Sequence, residues 1–277
     1  MKKITFLLLV LFASNIGFSQ KKDKIKGSKI ITHTIKQVET FQNIEIEDNV
    51  EIYLVKADTP SIEIEADDNL HDVVNFAVTG NTLRITTLKT VSGAKKFDLR
   101  INYASDLKLI TVKNEAKLHA LNALQLDTIT IKNFDSSQSF LNVNSNAFTL
   151  ILNDKSEAEL NVKAQNTVLE VSKNAELKAL VASPEVKIDL YEKAEVKIEG
   201  DAANAKIRLD NNAYLLANKF TAAVMDLTVE NYAKCEVNVT KELALSASGK
   251  TQVELYGEPK IEMRKFTNST TLYKKEL

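Results

Sequence analysis

"AEVKIEGDAANAKIRLDNNAYLLANKF", residues 194–220, states a phrase and then begins it again. Ala194 leads two alternating apolar positions, Val196 and Ile198. A short polar break follows, then a second alternating run at Ile207 and Leu209. Asp210, Asn211 and Asn212 break the chain once more, and Ala213 reopens the phrase. Alternation with period two is the pattern of a strand with one face buried.

The phrase extends in both directions. Small residues open it at Ala158, Ala175, Ala194, Ala213 and Ala233, at spacings of 17, 19, 19 and 20 residues, with weaker copies near Ala116, Ser139 and Thr251. Each copy carries two short strands, for example 177–179 with 186–190 and 235–239 with 243–245. Helical repeats need 3.6-residue spacing and about 34 or more residues per unit, and the leucine-rich pattern does not recur. The reading is an all-β, single-stranded parallel β-helix in which each repeat is one coil. Eight coils at about 4.8 Å would form a rod about 35–40 Å long. One coil cannot bury its own open faces, so the stack supplies the stability.

Turn chemistry agrees. The 277 residues hold only 7 Gly and 3 Pro, too few for a hairpin-rich sandwich. Asn recurs at the breaks instead (Asn114, Asn133, Asn153, Asn174, Asn211, Asn231), because it tolerates left-handed backbone and bonds its own turn. Stacked Asn side chains are also expected to bond coil to coil. Outward positions alternate Lys and Glu ("EVKIE", "AELKA"). They read as a solvated face with cross-coil ion pairs and no like-charge stacking.

Before residue 114 the repeat is absent. Residues 20–37 are lysine-rich without a clean period and read as a partly flexible lead-in. Residues 38–113 read as non-periodic N-terminal strands with a β-hairpin at Gly80-Asn81, and a helical turn over "DDNLHDVV" with Asp67 or Asp68 as cap. The periodic coils occupy 114–265, and 266–277 is expected as a polar tail. Residues 1–19 have the form of a secretory signal peptide, with Lys2 and Lys3, an apolar run from Ile4 to Ala13, and Gly17 and Ser19 before the cleavage point. The mature chain is therefore expected to be exported, to the periplasm, the outer surface or the medium, with no integral membrane segment.

Loss of Lys2 and Lys3 takes the formal charge from −1 to −3. Without a concentrated basic field, nucleic acid is not an expected partner. Cys235 is the only cysteine, which excludes an internal disulfide and reads as a small buried hydrophobe. His33, His71 and His119 lack ligand spacing and read as solvent histidines. No cofactor and no metal site are expected. Asp189 and Asp210 end successive second strands with Glu192 nearby. That is the sharpest enzyme idea, since polysaccharide cleavage needs paired acids, but no basic partner recurs beside them. Tyr191, Tyr214 and Tyr232 fall near successive corners and are the candidate contact residues for a sugar chain.

The opening "FQNIEIEDNVEIYLVKADTPSIEIEADDNLHDVV" and the exit "SASGKTQVELYGEPKI" resemble the GIN-domain family, described as auto-transporter adhesin head domains and frequent in exported proteins of Bacteroidetes. The resemblance covers about residues 38–265 and implies a right-handed β-helix without established catalytic residues. This chain differs in using Ala, Asn and Lys where relatives often use Gly and Ser, and in carrying "TNST" where a Gly-rich turn is usual. The expectation is thus a non-enzymatic adhesion or binding surface. Its partner is a glycan or protein of the envelope or extracellular space, with homo-oligomer formation left open. A polysaccharide-binding or polysaccharide-cleaving β-helix and a structural envelope protein are the alternatives.

Overall fold

A computed structural model describes residues 22–104 and 106–276; the expected leader, residues 1–19, lies outside them. The N-terminal part contains β1 (Lys24–Lys26), β2 (Ile31–Gln37), β3 (Asn43–Ile46), β4 (Glu51–Lys56), β5 (Ser61–Asp67), a 3-10 helix (Asp68–Val73), β6 (Val74–Thr79), β7 (Thr82–Thr87), β8 (Thr90–Ser92) and β9 (Phe97–Tyr103). The coils follow in β10 (Leu109–Val112), β11 (Lys117–Asn133), β12 (Gln138–Leu152), β13 (Glu157–Val171), β14 (Glu176–Ala182), β15 (Glu185–Leu190) and β16 (Glu195–Leu209). They continue in β17 (Tyr214–Asn231), β18 (Lys234–Gly249), β19 (Gln252–Tyr256), β20 (Lys260–Asn268) and β21 (Thr271–Lys274).

From β10 onward every pairing is parallel, and most long strands run the length of a coil, pairing along both walls. One coil is split into β14 and β15 at Pro184, which has no N–H to give to the ladder; its carbonyl accepts from Ala203 and Asn204 instead. The expected β-solenoid is therefore present, and it starts earlier than residue 114. β3 pairs in parallel with β10, and β4 with β11, so residues 43–56 already form a coil.

The inward columns explain the repeated phrase. Ile52, Leu118, Ser139, Ala158, Leu177, Val196, Leu215, Cys235, Val253 and Leu272 follow one another in register. Cys235 is buried there, as expected, and burial pushes its thiol pKa far up. The small-residue corner column is Ala116, Ser137, Ser156, Ala175, Ala194, Ala213, Ala233 and Thr251, all buried. Ala158 and Ser139 thus belong one pleat further along the wall than their expected role as corner residues. The serines Ser137 and Ser156 fill the corner in those copies.

Each corner places one residue at positive φ. Asp48, Asn114, Asp135, Asp154, Lys173, Glu192, Asn211, Asn231, Gly249 and Asn268 stack in a single line. Only three of the six expected asparagines take this role. Asn133 is instead fully buried, donating to Ser137 Oγ at 3.1 Å and accepting from Ser139 Oγ at 3.0 Å. Coil-to-coil bonds are made by Asn231 to Asp210 and by Ser172 to Asn153 at 3.2 Å. At Gly200 (φ 117) a Cβ would lie 2.0 Å from the Val181 carbonyl oxygen, so this close approach needs glycine.

The outward columns depart from expectation. Glu157, Glu176 and Glu195 stack in register, as do Lys178 and Lys197. These side chains are exposed, and water screens the repulsion to about 1 kcal/mol or less per pair. Neutralisation runs both across coils (Lys178–Glu159, 3.2 Å) and along strands (Lys187–Asp189, 2.6 Å).

The two ends differ. At the N-terminal end, β4 is extended by β9, β5 and β2, the last two pairings antiparallel, and β3 by β7 and the antiparallel β6. The 3-10 helix crosses between β5 and β6 and buries Leu70 and Val73. Asp67 does not cap that helix with its side chain. Its buried carboxylate accepts backbone N–H bonds from Lys29, Lys95 and Lys96 at 2.9–3.2 Å. Burial opposes its ionisation, but those donors outweigh it and lower the pKa. Residues 24–37, expected as lead-in, hold strands β1 and β2. Residues 266–274, expected as tail, complete a coil, with "TNST" as its corner.

Candidate functional site

The interior leaves no room for a partner: inward side chains of both walls are buried along the stack. Binding chemistry must sit outside, at a corner or on a wall.

The expected tyrosines lie around the same corner of three adjacent coils, but in three different columns. Tyr191 aligns with Asp210, Tyr214 with Glu195, and Tyr232 with Asn212. They form no continuous strip. Tyr191 has the Arg208 guanidinium 6.0 Å from its ring centre. Tyr214 donates to Glu236 at 3.0 Å, and burial together with that bond pushes its pKa up to about 12. Tyr232 is exposed. Beside Tyr191 lies a shallow hollow of about 580 Å³ that also takes in Lys187, Asp189, Lys206, Arg208 and Glu230.

The acids do not pair. Asp189 sits opposite Arg208 in register and binds Lys187 at 2.6 Å, which raises the lysine pKa. Asp210 lies 3.9 Å from Arg208 and takes bonds from the Asn211 amide and the Asn231 side chain. Arg208 is thus the register partner of one acid and within 3.9 Å of the other, and each acid is engaged by neighbouring groups of the chain. Among the described residues no group of three or more His, Cys, Asp or Glu could hold a metal ion, and no helix is long and apolar enough to cross a membrane.

None of the three histidines, expected as solvent histidines, is simply solvated. His71 lies 2.7 Å from Thr32 Oγ1 and 2.9 Å from Thr34 Oγ1, pinned where the 3-10 helix meets β2. His119 is sandwiched, with ring centres 4.8 Å from Tyr53 and 5.0 Å from Phe140 and interplanar angles of 16° and 10°. These three rings occupy one outward column across β4, β11 and β12. His33 is exposed, yet its Nε2 lies 3.5 Å from Glu63 Oε2.

Next to that stack is a hollow of about 630 Å³ over the outer face of β2, β5, β9 and β4. His33, Tyr53, Glu63, Lys96, Asp98 and Arg100 line it. Glu63 accepts from Arg100 at 3.0 Å and Asn102 at 2.8 Å; the Asn102 bond is the main cause of its lowered pKa. Tyr53 donates to Glu51 at 2.8 Å, and burial with that bond pushes its pKa up to about 12. Sequence reading missed this site. The available signal was an aromatic ring at the same outward place in "EIYLV", "KLHAL" and "QSFLN", where most later coils use Glu or Lys.

Comparison with known proteins fits this architecture. The structure is similar to that of a putative adhesin from Parabacteroides distasonis, at 18% identity and TM-score 0.63, over 92% of this chain and 100% of that one. A putative lipid binding protein from the same species matches at 15% identity and TM-score 0.63, over 91% and 99%. A putative adhesin from Parabacteroides merdae matches at 19% identity and TM-score 0.62, over 92% and 98%. No match is found among curated proteins. The family described as putative auto-transporter adhesin, head GIN domain, matches residues 40–259. That is well over half of the chain, and the chain belongs to this head GIN domain family.

Proposed function

We propose that the protein is an exported, non-enzymatic binding module of the adhesin type, acting in the cell envelope or outside it on an extended glycan. The observation that carries this reading is the filled interior of the solenoid, which leaves its walls and corners as the surfaces free to bind. The adhesin description of the family, and the adhesin names of similar structures, support the same role. A ladder repeating about every 4.8 Å suits a repetitive partner, and each contact is weak, so affinity grows with ligand length. Tyr191, Tyr214 and Tyr232 are the proposed corner contacts, with Arg208 and Lys206 as donors beside them.

Binding of short and long oligosaccharides to the mature chain tests this, with a triple Tyr→Ala variant alongside. The expected result is affinity that climbs with chain length and falls in the variant. Tight binding of a lone small molecule, or no dependence on length, would sink the reading. Cleavage of a polysaccharide, lost on Asp189→Asn with Asp210→Asn, would replace it with the enzyme alternative.

A further inference from the structure

We propose that the groove over the outer face of β2, β5, β9 and β4 is a binding site for an uncharged sugar residue, with the Tyr53 ring as its apolar wall and the Glu63–Arg100 pair as its polar floor. This rests on the reading of the protein as a module that binds through its outer faces.

The wall comes first. His119 covers one face of the Tyr53 ring, and Phe140 backs His119 in turn. The other Tyr53 face looks along the sheet toward β9, whose Arg100 is its register partner, and so borders the groove. The Tyr53 hydroxyl is held by Glu51. The ring is therefore fixed upright before any ligand arrives, on strands and not on a loop, so little ordering cost remains.

The floor is a charge-assisted bond that Arg100 donates through Nη1 to Glu63 Oε2, while Glu63 Oε1 accepts from Asn102. Glu63 is partly engaged by Arg100 (3.0 Å), Asn102 (2.8 Å) and His33 (3.5 Å), but a carboxylate has about four acceptor sites and a guanidinium five donors, so positions remain on both partners. The Arg100 side chain is 55% exposed, so its remaining donors reach the groove. Asp98 and Lys96 form a second pair alongside. Acceptors and donors thus alternate at short range, which matches vicinal hydroxyls that donate and accept in turn. The C–H face of a pyranose supplies the apolar side that the ring wall needs.

Charge selects against the other ligand classes. Acids and bases interleave here, so the groove has no single-sign field of the kind that gathers phosphates or polyamines. Its volume of about 630 Å³ lies within the roughly 300–1,000 Å³ usual for small-ligand sites.

Saturation-transfer NMR and calorimetry on the mature chain test this with glucose, galactose, mannose and N-acetylglucosamine, beside glucuronate, glucose 6-phosphate and spermidine. At least one uncharged sugar should bind saturably. Tyr53→Ala should weaken it tenfold or more, and Arg100→Gln about fivefold. Arg100 is exposed, so that variant carries the test alone if Tyr53→Ala does not fold. The inference is overturned if no uncharged sugar binds, if a charged probe binds more tightly, or if the folded variants bind as the parent does. Length-dependent glycan binding without any single-sugar site would remove the groove and leave the proposed function standing. A saturable sugar site without length dependence would do the reverse.

Discussion

At the residue scale, the corner line sets a repeated demand that side chains meet unequally. Ten residues of this line sit at positive φ, and Glu192 (φ 62) and Lys173 (φ 62) are long side chains in a region that favours Gly and Asn. Left-handed backbone costs an ordinary residue about 1 kcal/mol or more. Glu192→Asn should therefore stabilise by about 0.5–1 kcal/mol. Asn211→Val, a β-branched side chain at φ 61, should destabilise by about 1–2 kcal/mol. Thermal melts of the two variants should move in opposite directions, and equal shifts would contradict the corner geometry. Asn at the breaks made the corners legible in sequence, but Asn133, Asn153 and Asn174 missed the positive-φ position by one or two residues. Corner and wall differ there by a single pleat, and polar residues occupy both: Asn133 belongs to a buried serine network that no local pattern announces.

At the element scale, parallel in-register stacking places identical positions of successive coils side by side. The Glu157–Glu176–Glu195 line follows directly, because these three successive coils start their first wall with the same residue type. Glu176→Gln removes two like-charge neighbours at once and should raise stability by about 0.3–1 kcal/mol. The gain should shrink in high salt, as it does for exposed charges. A salt-independent gain, or none, would mean that the column carries no electrostatic strain. Period-two runs gave away the walls from "FQNIEIEDNVEIYLV" to "TQVELYG" with little error. The edges of the solenoid were harder to read. β2 and β20 are exposed along nearly their whole length, so they lack the buried face that makes alternation visible. The groove was hidden for a related reason: it joins β2, β5 and β9 through antiparallel pairings distant in sequence.

At the scale of the whole molecule, charge pairing makes stability depend on acid. Glu45 is held at a pKa of about 2 by its bonds to Arg84 and Lys113. The Asp154 carboxyl is lowered by Lys173, and Glu63 by Asn102. Burial works against Asp48 and Asp67, yet their hydrogen bonds still bring both below the usual carboxylate range. In each case the folded value lies below the unfolded one, near 4. Their contribution is therefore complete above about pH 5 and is shed as pH falls toward 2. Melting temperature should stay level from pH 8 to 5 and then drop steadily; a rise below pH 4 would refute these assignments.

Coil length is not constant. Successive corners from Ala116 to Thr251 are 21, 19, 19, 19, 19, 20 and 18 residues apart. The surplus and deficit are absorbed at the junction of the two walls, with register shifts between Ala120 and Leu124 and between Ala217 and Thr221. The positive-φ corner passes through these coils unshifted, and the second wall breaks register between β18 and β20, at Leu245–Ser246. The junction therefore behaves as a slack point where the chain can lengthen or shorten without disturbing its neighbours. A foreign segment grafted there would project from an intact scaffold, and lineages of such proteins could acquire new surface loops one coil at a time while inheriting the same core.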